Sequence, residues 1–314
     1  MRELLSDVGC RRRVRRPGVV VAVVAALVCG CGSDDNHQST EAPPLAVVSA
    51  FPAELAPNVE RATIREKMVI DGHVFRVGVI EGVPVVLVMT GIGLMNAANT
   101  TRLLLDHFEV SGVVVSAVAG SMQLPIGDVA VPVGWTSRDA TVYAADPGWL
   151  DLAREIAASG DVALEHCTMV PSKSPDPVCL PGDLAVVVGG IGQSRDPFGT
   201  NPFPCQPNGG DLLGCDIEPI PVASPTSVSG SSARAIEPAA TDQPTVEDME
   251  TAAIANEAAA HNLPFIAFRA VSDGPGDPLN LGDFLAQFSA YYPLAARNAS
   301  AATAAFLKKI AATR

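Results

Sequence analysis

The chain has 314 residues, 48% of them hydrophobic but only 5% aromatic, and a formal charge of −13. Its length suits one large α/β domain or two small ones, and its core must come from Ala, Val, Leu and Ile, as in a sheet under tightly packed helices. The acidic balance repels phosphate backbones and argues against a nucleic-acid partner; otherwise it reads as ordinary solubility.

The N-terminus reads as an address. Arg11, Arg12, Arg13, Arg15 and Arg16 precede an uncharged apolar run, Val19 to Val28. That run is shorter than the roughly 20 residues a membrane span needs, and the basic-then-apolar order is that of a signal peptide. It ends in Leu27-Val28-Cys29-Gly30-Cys31-Gly32-Ser33, which resembles a bacterial lipobox. Cys31, preceded by Gly30, is the expected lipidation site. An ordinary cleaved signal and a short membrane anchor are the alternatives. Residues 1–31 are thus expected to form the address, 32–44 a polar tether, and 45–314 the domain of a lipoprotein exported to the cell envelope. The lipid anchor would be its only attachment to a membrane.

Seven cysteines are present. Cys10 and Cys29 fall in the address and Cys31 is the lipid site. Cys167, Cys179, Cys205 and Cys215 remain, an even number that suggests two disulfides in an exported chain, with three connectivities open. Their spacing does not suggest zinc, and neither a metal site nor a cofactor is expected.

Within the domain, Leu45 to Ala50 reads as a buried first strand. The stretches 68–81 and 83–90 alternate, broken at Asp71-Gly72 and Glu81-Gly82, and predict hairpins. Thr90-Gly91-Ile92-Gly93 opens a helix to about Phe108. Strands are expected at 112–118, 128–133, 184–188 and 265–271, and helices at 150–158, 250–261 and from after Asp273 to about Ala311. Residues 189–244 are dense in Gly, Pro, Ser, Asp and Asn and far longer than a normal connection; they read as an insertion partly stapled by disulfide, a mobile lid, or simple disorder. The alternation of strands and helices predicts a three-layer α/β/α sandwich with a mixed central sheet.

Three short stretches at strand ends could carry chemistry, since open α/β sheets build their sites there. They are Ser49-Ala50-Phe51-Pro52-Ala53-Glu54, Val246-Glu247-Asp248-Met249-Glu250 and Arg269-Ala270-Val271-Ser272-Asp273. Each has a plainer reading. Asp248 and Glu250 could serve only as helix-start charges, and Ser272-Asp273 as a turn. Arg269 reads as a structural ion-pair partner, and Glu257 as part of a solvated helix face.

Taken with Thr90-Gly91-Ile92-Gly93 and Val118-Ala119-Gly120-Ser121, these motifs resemble the nucleoside phosphorylase superfamily, most closely the methylthioadenosine/S-adenosylhomocysteine nucleosidases. The resemblance implies an enzyme that hydrolyses the N-glycosidic bond of a purine nucleoside, with Glu54 as the base that activates water. It implies that Met249 and Glu250 hold the ribose. Ser272 and Asp273 would meet the purine, Asp273 assisting protonation at N7. Gly91, Ala119 and Gly120 would line the site, and a homo-oligomer, a dimer, is the expected assembly. The chemistry needs an acid for the leaving base and a base for water on opposite sides of the sugar.

Two departures stand out. The family's Ser-Ala-Gly-Gly near the sugar is Val118-Ala119-Gly120-Ser121 here. Phe198 is the candidate for the aromatic that stacks on the base. A phosphate-dependent phosphorylase is the alternative reaction, but hexameric phosphorylases carry Arg where this chain has Val115, and a carboxylate such as Glu54 would repel phosphate. A surface protein that binds nucleosides with little catalysis is the alternative outside enzymes.

Overall fold

A computed structural model describes residues 42–137, 140–199, 201–217 and 245–313. The signal peptide, Cys31, most of the tether and the second half of the expected insertion lie outside the described residues. In chain order the elements are β1 (Leu45–Ser49), α1 (Pro52–Arg61), β2 (Thr63–Ile70), β3 (His73–Ile80), β4 (Val83–Met89), α2 (Leu94–His107) and β5 (Val113–Gly120). Then come β6 (Val129–Val131), β7 (Gly134–Thr136), β8 (Val142–Ala144), α3 (Pro147–Ser159), β9 (Cys167–Thr168), β10 (Val178–Cys179), β11 (Val186–Val188) and β12 (Ile191–Ser194). The chain continues with α4 (Gly210–Leu213), β13 (Val246–Asp248), α5 (Thr251–Ala260), β14 (Phe265–Asp273) and α6 (Phe284–Thr313).

Twelve strands form one mixed sheet. Strand β1 is parallel to both β4 and β5, and β5 is parallel to β14. At its C-terminal end β5 meets β13 through the antiparallel pair Glu247↔Gly120. The sheet therefore branches at Gly120, with β14 on one limb and β13–β12–β7–β8 on the other. Helices α1, α3 and α6 pack together over one side, and α2 pairs with α5 on the other. This is the expected α/β/α sandwich.

The core is aliphatic, as the composition requires. Every residue of β1 is buried, as is every residue of β5 before Gly120. Continuous Val/Ala runs of this kind mark strands covered on both faces. The hairpins turn at Asp71-Gly72 and Glu81-Gly82, all four with positive φ, the conformation that Asp-Gly turns accommodate. Helix α3 is closed at both ends: Asp146 accepts from the Trp149 N–H at 2.9 Å, and Gly160 ends it in the left-handed conformation.

Two expectations are corrected. The expected insertion at 189–244 contains β12, which pairs in parallel with both β7 and β13. Its sequence, Ile-Gly-Gln-Ser, carries little strand signal because Gly192 is selected by packing. A Cβ at Gly192 would lie about 2.5 Å from the Trp135 ring, which rests on that strand. Glu257 is buried rather than solvated, paired with Arg102 of α2. The cysteines pair as Cys167–Cys179 and Cys205–Cys215. No helix among the described residues is long and apolar enough to cross a membrane.

Candidate active site

The first, second and third motifs converge at the C-terminal ends of β1, β13 and β14. Glu54 sits in the first turn of α1, whose start is set by Pro52. The favoured φ of proline lets the chain turn from β1 into a helix within two residues and drives Glu54 back under the sheet edge. Its side chain is almost wholly buried, 1% exposed. Oε2 accepts from the Ala50 N–H at 2.6 Å and Oε1 from the Val118 N–H at 2.8 Å. Beneath it, Asn58 Nδ2 donates to the Glu54 carbonyl and to Ser116 Oγ, both at 3.0 Å, and Ser49 Oγ donates to the Ser116 carbonyl at 2.7 Å. This buried polar ladder fixes α1 to β5. Asn58 and Ser116 carry no local sequence signal, because only the tertiary fold brings them to Ser49, the residue that opens the first motif.

Arg269 is the hub of the site. It is 1% exposed and lies on β14. Its Nη2 lies 2.8 Å from Asp248 Oδ2 and 3.4 Å from Glu250 Oε2; its Nη1 lies 3.9 Å from Glu54 Oε1 and donates to the Val118 carbonyl at 2.7 Å. Its Nε donates to Thr251 Oγ1 at 2.9 Å, and the guanidinium lies 5.9 Å from the Trp135 ring centre. Arg269 is thus an ion-pair partner, as the sequence suggests, but its partners are the site carboxylates themselves.

Asp248 and Glu250 divide the helix-start and site roles. Asp248 accepts from the Glu250 and Thr251 N–H groups at 3.2 and 3.3 Å, and its carboxylate also meets the Ser194 and Thr251 hydroxyls. It therefore caps α5 and holds Arg269. Glu250 makes no side-chain cap bond to its own helix. It reaches across to accept from the Gly93 N–H at 2.9 Å. Met249 is partly exposed between them.

The Gly91–Gly93 loop has positive φ at both glycines. At Gly93 a Cβ would come within 3.0 Å of Asp196 Oδ2 and 3.3 Å of Phe198, so a side chain would push both away. Asp196 accepts from the Leu94 N–H at 2.8 Å and supplies the N-terminal contact that α2 lacks. The aromatic candidate Phe198 therefore lies against the loop that binds Glu250.

At the other end, the register of β14 on β5 shifts between Val271 and Asp273, and Asp273 pairs with Gly120. Such a bulge re-aims a side chain. A Cβ at Gly120 would stand 2.4 Å from Asp273 Oδ2, so a side chain there would displace the carboxylate. Ser272 Oγ donates to Asp273 Oδ1 at 2.8 Å and approaches the Ala119 carbonyl at 3.3 Å. Ser121 does not replace the hydroxyl lost at Val118. It turns away, donating to the Thr245 carbonyl and accepting from the Gln123 and Leu124 N–H groups. Val115 lies in the core, 1% exposed.

The carboxylates are perturbed in the same direction. Burial pushes Glu54 up to about 7, against the opposing pull of Arg269 and of three backbone N–H groups. Burial pushes Glu250 up to about 8, helped by Asp248 and Glu54 and opposed by Arg269. Asp273 is also raised by burial, with the Ser272 hydrogen bond acting against it. Three carboxylates face one guanidinium, so a proton on Glu250 relieves the excess negative charge. Among the described residues, no group of three His, Cys, Asp or Glu could hold a metal ion.

The family model described as Phosphorylase superfamily matches residues 44–171 and 212–308. The chain belongs to the phosphorylase superfamily. It is similar to the Mycobacterium tuberculosis protein Rv2293c, 34% identical over 229 residues, covering 64% of this chain and 90% of that one. It is also similar to the 5′-methylthioadenosine/S-adenosylhomocysteine nucleosidase of Tolumonas auensis, 25% identical over 270 residues, covering 85% and 99%. Among solved structures, the Neisseria meningitidis 5′-methylthioadenosine/S-adenosylhomocysteine nucleosidase in complex with methylthio-immucillin-A superposes with a TM-score of 0.57. It is 19% identical, covering 85% of this chain and 100% of that one. Helicobacter pylori futalosine hydrolase gives 0.58 at 17% identity, covering 85% and 98%. Both share the fold of this phosphorylase-superfamily chain.

Proposed function

We propose that the chain is a purine nucleosidase that hydrolyses the N-glycosidic bond of adenosine-type nucleosides. The observation that carries this reading is the setting of Glu54: a buried carboxylate gripped by the Ala50 and Val118 N–H groups beside Arg269, which burial raises to about 7 and so poises to take a proton from water near neutrality. Its two oxygens accept backbone N–H bonds that fix its orientation, and each keeps a second lone pair for the attacking water. Glu250, held between Gly93 and Arg269, binds the ribose hydroxyls beside Met249. Asp273, whose burial favours its protonated form, stands where it would share a proton with N7 of the departing purine, so that the leaving group need not depart as an anion. Ser272 orients that carboxyl.

Hydrolysis is favoured over phosphorolysis by charge. The cation in the site, Arg269, is already faced by Glu54, Asp248 and Glu250. A phosphate beside Glu54 would meet an excess of negative charge. The two disulfides support a domain that works in an oxidising compartment, in keeping with an exported lipoprotein anchored at Cys31. The experiment is product analysis with methylthioadenosine. Adenine and free methylthioribose are expected, at a rate indifferent to added phosphate. A rate that requires phosphate, with a pentose 1-phosphate as product, would establish the phosphorylase reaction instead.

A further inference from the structure

The segment Phe203–Asp216, closed by the Cys205–Cys215 disulfide, has no part in the chemistry above, yet it grips both walls of the site. The family match leaves out residues 172–211, so Cys205 and the segment's first half lie beyond what that match covers.

Towards α2, Asn96 Nδ2 donates to the Phe203 carbonyl at 2.6 Å and to the Ile92 carbonyl at 2.8 Å, joining the segment to the Gly91–Gly93 loop. The Phe203 ring stacks on Phe198 with centroids 4.4 Å apart, and Phe198 lies against Gly93, whose N–H holds Glu250. Towards α1, Gly214 abuts Pro52, two residues before Glu54; a Cβ there would stand 3.2 Å from the Pro52 ring. Asp211 accepts from the Tyr292 hydroxyl at 2.7 Å, and Tyr292 packs edge-on against Phe51. Asp216 pairs with Arg76 of β3, a buried side chain. The segment is thus tied to α1, α2, α6 and β3, and the disulfide joins Cys205, two residues after the Phe203 tie, to Cys215, which lies between the Gly214 and Asp216 ties.

We propose that Phe203–Asp216 is a strap across the mouth of the nucleoside site, and that the Cys205–Cys215 disulfide holds it closed to retain substrate. The inference rests on the nucleosidase reading. A loop of this size, once cross-linked, loses much of its unfolded freedom, so the bond keeps the two sets of ties engaged together. Cys205 is exposed, so a dithiol can reach it. A thiolate of the dithiol attacks one sulfur and the disulfide breaks. The dithiol's second thiol closes it into a cyclic disulfide, leaving two protein thiols and moving two electrons to the protein. Opening leaves Glu54 and Asp273 in place. The effect therefore falls on binding rather than on the proton transfers.

The test compares adenine release from methylthioadenosine by the wild type, Cys205→Ser/Cys215→Ser, and Cys167→Ser/Cys179→Ser. The strap variant is expected to raise KM at least about fivefold with kcat within about threefold. The other disulfide variant should move neither. Amide exchange should speed up at 91–96 in the strap variant alone. An unmoved KM, a loss confined to kcat, or an equal KM rise in both disulfide variants would overturn the strap. If the strap variant does not fold, Tyr292→Phe decides with the disulfide intact: it releases Asp211, and KM should rise while kcat holds; an unmoved KM overturns the strap. A wild type that releases no adenine overturns the nucleosidase reading and the strap with it. Release with an unmoved KM overturns the strap alone.

Discussion

The two ends of the site are built differently. Around Glu54 and Glu250, every carboxylate is at least nine-tenths buried and has two or more fixed partners, and the Asn58–Ser116–Ser49 ladder stands underneath. Around Asp273, the carboxyl is partly exposed and accepts a side-chain hydrogen bond from its neighbour Ser272. The first end is specified by groups from β1, β5, β13, β14 and α1 together. The second is specified by a β-bulge and by the absence of a side chain at Gly120. On the proposed function, the wired end would hold the proton acceptor in place, whereas the end shaped by backbone would leave room for the base to enter and leave. Variants at the two ends should therefore fail in different ways.

The largest expected effect is at the wired end. Glu54→Gln keeps the shape but cannot take the proton of water, and one of its two atoms turns an N–H toward a backbone N–H. The expected loss in kcat is about 10²–10⁴-fold, read by adenine release, with KM less affected. Asp273→Asn keeps a hydrogen bond but delivers no proton. Its loss is expected toward the lower part of that range, about 10²–10³-fold, because a more open end lets water supply part of the acid role. If Asp273→Asn proves the more damaging, the ranking of the two ends is inverted.

The third effect is on stability. Between pH 4.5 and about 7 the folded chain keeps the Glu54 proton that the unfolded chain releases. Stability attributable to this group is therefore full at low pH and is lost as pH rises through that window, on the order of 3 kcal/mol. Urea melts at pH 5 and pH 8 should show this, and Glu54→Gln should flatten the difference. An identical pH dependence in the variant would mean that Glu54 is not perturbed by burial. The smallest effect is expected for Gly120→Ala, which displaces the Asp273 carboxyl without altering its chemistry and should cost about tenfold in kcat/KM. Activity equal to wild type would mean that Asp273 does not need its observed position.

Much of this was legible in the sequence. The Val-rich run of β5, the Asp71-Gly72 and Glu81-Gly82 turns, and the short motifs around Glu54, Glu250 and Asp273 each announce themselves locally. The parts that were not legible depend on distant partners. Gly192 makes sense only with Trp135 resting on it, so β12 disappeared into the apparent insertion. Arg269 reads as an ion-pair residue from its sequence, but its three carboxylates come from helix α1, strand β13 and the start of α5, and nothing in the local sequence joins them. Glu257 sits on an Ala-rich helix that looks solvated until Arg102 is seen across from it. Asp196, two residues before Phe198, shows its role only through its contact with the start of α2.

The pH dependence of kcat/KM for adenine release from methylthioadenosine, measured on the wild type and Glu54→Gln in phosphate-free buffer, tests the central claim most directly. The wild-type rate should rise with pH through a midpoint near 7, because the ionised form of Glu54 accepts water's proton. The residual activity of Glu54→Gln should lack that limb. A limb that persists unchanged in Glu54→Gln, or a variant within about threefold of wild type, would contradict the assignment of Glu54 as the base.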